Sequence, residues 1–227
     1  MTAIFTPTTF QFLRDLAANN EKPWFEANRA TYETAVKLPL AALVDSVAAE
    51  LRRRDLPLEG DPKRSSFRIH RDVRFSKDKS PYKTAVGTVW YRQGSGKDGA
   101  GVLYFHLAPA GCFVASAFYM PQPEVLDAIR ERIRVHPEKW LAIKAELDEA
   151  GVVMEDGDPL TRMPKNFEDM KDSPVASAIR MRSFIARHPL PEKFVLSAKL
   201  VPALAEYAST SLPLLRFGWT AVDEAAR

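Results

Sequence analysis

Apolar residues recur every three or four positions over the N-terminal quarter of the chain, and this pattern predicts helices. Phe12, Leu13 and Leu16 share one face, with Thr8 or Thr9 as N-cap and Asn19-Asn20 as the stop. Pro23 suits a first helical position, and Trp24, Phe25, Asn28, Tyr32 and Val36 follow at helical spacing. Pro39 has no N–H to donate and its ring crowds the preceding turn, so a break or kink is expected there. Leu40, Leu43, Val44, Val47 and Leu51 resume the stripe. It ends at Arg52-Arg53-Arg54, where positive charge suits the negative end of a helix.

Beyond a turn-rich stretch the period shortens to two. Phe67 and Ile69 alternate with Arg68 and His70, as in a half-exposed strand. Residues 84–91, 102–108 and 112–119 are rich in Val, Tyr, Phe and Trp and are joined by short glycine-bearing loops, which predicts an antiparallel meander. Pro123 then opens a helix through Leu126, Ile129 and Ile133. Pro137 opens another through Trp140, Ile143 and Leu147, closed by Gly151. Residues 154–160 read as a loop and 162–174 as irregular. Ile179 and Met181 alternate with Arg180 and Arg182, which predicts a strand returning to the sheet. From Pro191 the pattern is helical, interrupted by Pro202 and Pro213. The fold class expected is α+β: one domain over 1–227, with N-terminal helices at 8–54 and a mainly antiparallel sheet at 65–120. The returning strand and the middle and C-terminal helices occupy 121–227.

Composition narrows the class. An apolar fraction of 46% with 27% charged residues is that of an ordinary globular chain, and its length of 227 residues can bury a sizeable core. No run approaches the ~18–20 apolar residues of a membrane span, and the N-terminus carries no basic segment followed by an apolar block, so neither a membrane nor a signal peptide is expected. Cys112 is the only cysteine, which excludes an internal disulfide and fits a reducing cytoplasm; inside an apolar run it reads as a small core residue.

Charge is what singles out a site. Between Arg64 and Lys83 lie seven Lys or Arg and two Asp, a local charge of +5, while the whole chain carries +3 and the remainder therefore −2. Arg offers forked donors to carboxylate or phosphate, Lys a point charge and Tyr a hydroxyl or a ring. Asp78, the serines and Pro81 supply turn chemistry beneath them. Arg71, Arg74, Lys79, Tyr82 and Lys83 are thus candidate ligands for an anionic small molecule. Asp72 and His70 are the candidate base, or the means of fixing the arginines. His106 falls on the less apolar face of its strand and could approach His70, although separate hydrogen-bonded histidines are the simpler reading.

Other motifs lose weight. Gly94-Ser95-Gly96-Lys97 resembles part of a phosphate loop, but Tyr91 and Asp98 stand where a Gly and a Ser or Thr belong, and the loop joins two strands. The four histidines have no metal-ligand spacing, and no metal or cofactor is expected. No nucleophile elbow or paired-carboxylate motif appears.

The segments NNEKPWFEANRATYE, FRIHRDVRFSKDKSPYK and FYMPQPEVLDAIRERI, followed by RMPKNFEDMKDSP, PLPEKF and SLPLLRF, together resemble the bacterial and fungal family called Domain of Unknown Function 2461 over nearly the whole chain. Trp24, Phe25, Arg71, Asp72, Arg74, Phe75, Lys79, Pro81, Tyr82 and Lys83 match its hallmark positions. Ser116-Ala117-Phe118-Tyr119 departs from a smaller, glycine-containing run, which would narrow a pocket beside that strand. The resemblance implies an α+β fold and carries over no activity. Three roles stay open. The basic stretch could bind an anionic small molecule, with or without catalysis. It could track single-stranded nucleic acid, with Phe75 or Tyr82 stacking on bases. Or it could be an internal salt-bridge lattice, with Trp24, Phe25 and Tyr32 in the core.

Overall fold

The computed structural model describes residues 2–74 and 77–227. The first helix, α1, runs Pro7–Ala18, starting earlier than the threonines at 8 and 9 suggested. Pro7 takes the first helical position, where its fixed φ is an asset, and Thr6 in extended conformation is the N-cap. Thr9 is therefore in the first turn, where its Oγ1 accepts from the Thr6 N–H (3.3 Å) and donates to the Ala35 carbonyl (2.7 Å).

That second bond explains how the chain accommodates Pro39. Helices α2 (Lys22–Ala27) and α3 (Arg29–Tyr32) lead into a π-turn, Glu33–Lys37, and then α4 (Leu38–Arg53). Proline cannot donate to the carbonyl four residues back, which is that of Ala35, and Thr9 supplies the missing donor. The expected break is thus a local widening of the helix.

Among the described residues six strands form one antiparallel sheet in the order β1-β2-β3-β4-β6-β5. They are β1 (Leu58–Glu59), β2 (Val86–Arg92), β3 (Val102–Leu107), β4 (Cys112–Phe118), β5 (Val153–Met154) and β6 (Phe184–Leu190). The meander β2-β3-β4 is the one expected. The two-residue edge strands β1 and β5 carry too short a pattern to be read from sequence.

Helices α5 (Pro123–Val135) and α6 (Pro137–Glu149) follow β4 as expected. The alternation at Ile179 and Met181 does not make a strand. Residues Ala176–Arg180 form a short helix, α7, that buries Ile179 completely, and β6 begins only at Phe184. A four-residue alternation suits one face of a helical turn as well as a strand, and here packing decides. After the short α8 (Glu192–Val195) comes α9 (Leu200–Ala225), one helix of 26 residues. Pro202 falls in its first turn, where the N–H is not needed, and Pro213 lies inside it without ending it.

Helix α9 packs across β4 and β6. The Ser116 N–H donates to the Tyr207 hydroxyl oxygen (3.1 Å), and that hydroxyl donates to the Ala186 carbonyl (2.6 Å). Burial pushes Tyr207 up to about 12, so it stays a neutral donor. A Cβ at Gly218 would stand 2.3 Å from the Phe118 ring, so glycine sets how closely this helix approaches the sheet. Trp90, Phe105, Phe118 and Phe184 fill the covered side of the sheet, and the Trp90 indole donates to the Val44 carbonyl of α4 (3.1 Å). Cys112 is buried, as expected of a small core residue, and burial raises its thiol. No helix among the described residues is long and apolar enough to cross a membrane.

Candidate functional site

The basic stretch folds back on itself. It leaves the sheet edge at Ser66, which bridges to Thr88, and forms a hairpin in which the Arg71 N–H donates to the Pro81 carbonyl (2.9 Å) and the Lys83 N–H to that of Ile69 (2.8 Å). The simple alternation expected at 67–70 fails because the ribbon turns from one partner to the other. Ile69 enters the core at 3% exposure, whereas Phe67 is 42% exposed on the opposite side of the sheet.

Within the hairpin Arg71 and Arg74 are each met by a carboxylate. Arg74 grips Asp72 with two donors, at 3.0 and 2.7 Å, and this holds the Asp72 carboxyl below its usual range. Asp78 accepts from the Ser80 hydroxyl and backbone N–H, which lower its pKa, and pairs with Arg71 at 2.9 Å. Arg71 also reaches the Tyr82 carbonyl (3.5 Å), and Lys79 donates to that of Val73 (2.9 Å). Phe75, a stacking candidate, lies outside the described residues.

Tyr82 turns inward. It is 2% exposed and stacks on Phe25 with centroids 4.1 Å apart. Asn20 clamps its backbone from both sides, accepting from the Tyr82 N–H and donating to its carbonyl, each at 3.0 Å. His70 pairs across the hairpin with Tyr82 and lies edge-on to Phe25. Among the described residues no hydrogen bond joins His70 to Asp72, and no ring contact joins it to His106.

The face of the sheet opposite the core holds a trough of about 530 Å³, none of whose lining belongs to a helix. Its floor is aliphatic: Val89, Val102, Ala115, Ala117 and Ile185. Phe67, Tyr104 and Phe113 form an edge-to-face row along one wall, at 6.1 and 5.7 Å. Lys83 and the pair Arg187–Glu155 (3.1 Å) sit at its rim. A smaller recess of about 120 Å³ shares Phe67, Lys83 and Tyr104 with the trough and adds Arg68, Gly87 and His106. The Tyr104 hydroxyl lies 3.0 Å from His106 Nδ1. Burial, reinforced by Arg187, lowers the His106 pKa and favours the neutral ring, which shares a hydrogen bond with the Tyr104 hydroxyl.

The family model described as a conserved hypothetical protein, DUF2461, matches residues 8–217. The chain belongs to this family. A search of curated proteins gave no match.

The residues on which the sequence resembles DUF2461 divide by position. Phe25 and Tyr82 stack together in the core, Arg71, Asp72, Arg74 and Lys79 close the hairpin, and Lys83 alone of the candidate ligands also lines the trough. Ala117 and Tyr119 line it as well. The trough residues went unnoticed in the sequence because their alternation reads as an ordinary exposed face. The available signal was the unusual apolarity of that face: Val89, Val102, Tyr104, Phe113 and Ile185 stand where polar residues would be expected.

Proposed function

We propose that this DUF2461 protein binds an anionic small molecule with an apolar body, seated in the trough with its charge toward Lys83. The observation that carries the reading is an aliphatic floor beside a cation that, among the described residues, has no carboxylate within ion-pair distance. A volume of about 530 Å³ lies in the range of small-molecule sites, roughly 300–1,000 Å³. The arginines of the hairpin act on this reading as its internal braces, with Arg71 and Arg74 each already engaged by a carboxylate.

Single-stranded nucleic acid fits less well. The two sides of the Phe113 ring are taken by His106 (4.6 Å, 16°) and by Arg187 (3.9 Å), which come from the neighbouring strands β3 and β6. No ring face is left there for a base.

The test is a thermal-shift and calorimetric panel of carboxylates and phosphates on the wild type, Lys83→Ala and Arg71→Ala/Arg74→Ala. Stabilisation by an anion that Lys83→Ala abolishes supports the reading. Stabilisation lost only in the double arginine variant moves the anion to the hairpin and overturns it. Oligonucleotide binding that weakens steeply with salt, or a chain that dimerises through this face in sedimentation, overturns it too.

A further inference from the structure

We infer that the ligand of the trough is an aliphatic monocarboxylate, its head group in the recess between Lys83, Arg68, Tyr104 and His106 and its chain along the floor. This rests on the reading above and narrows it to a substrate class.

Three observations carry it. The recess and the trough share Phe67, Lys83 and Tyr104, so they are two compartments of one site, with Lys83 at their junction. The compartments differ in chemistry. The recess, about 120 Å³, suits a small head group and gathers two cations, the neutral His106 and the Tyr104 hydroxyl. Gly87, without a side chain, lets Tyr104 lie close over β2 at the wall of the recess. The trough beyond it is floored by Val89, Val102, Ala115, Ala117 and Ile185, which offer no hydrogen-bonding side chain. Finally, the row of Phe67, Tyr104 and Phe113 packs mostly against itself, and of the trough's rings Tyr119 is the most exposed, at 70%. Tyr104 meets both Phe67 and Phe113 edge-on, and Phe113 is already sandwiched by His106 and Arg187. A flexible hydrocarbon needs no free ring face. The floor crosses four strands from β2 to β6, about 14 Å at the usual strand spacing.

The experiment is calorimetric titration of the intact protein with straight-chain carboxylates from butyrate to decanoate, alongside benzoate and inorganic phosphate. Affinity should rise about fourfold per methylene and level off once the floor is covered. Ala115→Leu, which fills the floor, should flatten that rise, so that octanoate gains little over butyrate. In the wild type, amide shifts caused by octanoate should centre on Gly87, Ala115 and Ala117, a readout independent of how well the variant folds. Equal affinity for butyrate and decanoate, tighter binding of benzoate or phosphate than of octanoate, or shifts confined to the hairpin would each overturn the aliphatic class. The first two results leave anion binding in the trough standing. If none of these anions binds, both readings fail together.

Discussion

A Cβ at Gly87 would stand 2.5 Å from the Tyr104 hydroxyl oxygen, and this close approach places the tyrosine over β2 within reach of His106. Gly87→Ala should push Tyr104 off its site, break its bond to His106 and close the recess. Overpacking of this kind costs about 1–3 kcal/mol. Urea denaturation should show that loss, and carboxylate titration should show weakened binding. An alanine variant with unchanged stability and binding would mean that Tyr104 moves aside freely.

The bond from Thr9 to Ala35 makes a separate, structural prediction. Thr9→Val keeps the shape but removes the donor, leaving a half-buried carbonyl without it at a cost of about 1 kcal/mol. Thr9→Ser retains the hydroxyl and should lose distinctly less. Thermal unfolding of the two variants decides it, since a larger loss in Thr9→Ser than in Thr9→Val would show that the methyl, and not the hydrogen bond, matters.

The hairpin arginines should behave differently from one another. Arg71 is the more buried, with 28% of its side chain exposed against 74% for Arg74, and it ties Asp78 and the Tyr82 carbonyl together. Arg71→Ala should speed hydrogen exchange at the Arg71 and Lys83 amides, which close the hairpin, whereas Arg74→Ala should leave both protected. Equal effects would refute the bracing role of Arg71.

Acid should weaken the contact between α4 and α9. Glu50 accepts from Arg53 and Arg54, which hold its carboxyl at about 2 against an ordinary 4.5, while Arg54 reaches on to Glu206 of α9. The unfolded chain takes up this proton more readily than the folded one. The stabilisation is therefore complete above pH 4.5 and is lost as pH falls toward about 2. Glu50→Gln should show a shallower loss of Tm over that window than the wild type.

His106 works in the same direction at milder pH. Its pKa is depressed in the fold, so the unfolded state binds the proton first, and stability should decline as pH falls below the ordinary 6.5. His106→Gln should remove that part of the pH profile, and carboxylate binding in the wild type should change over the same range.

How far the sequence reached is clearest at particular residues. Phe12, Leu13, Leu16, Leu43, Val44 and Val47 announced their helices because helical periodicity is local, and all six are buried. The meander β2-β3-β4 was legible for the same reason: alternation and short glycine-bearing loops leave few ways to pair neighbouring strands. The family, too, was written in the order of its motifs. Where a signal was short, packing overrode it, as at Ile179, buried on a helical turn, and at Phe67, turned outward by the change of partner.

The basic stretch stood out in the sequence as unbalanced charge over a turn, and the turn is there, with Asp78 accepting from Ser80. Which cations are consumed internally depends on distances across a hairpin, and only the tertiary structure sets Arg71 against Asp78 and Arg74 against Asp72. Of the trough the sequence carried only an unusually apolar face, at Val89, Val102, Tyr104, Phe113 and Ile185. The trough exists because α9 and α4 cover one side of the sheet while, among the described residues, no helix lines the trough on the other, and residues from β2, β3, β4 and β6, far apart in the chain, meet there beside Lys83. Local periodicity fixes elements; which face of a sheet is left open is decided by how distant elements pack.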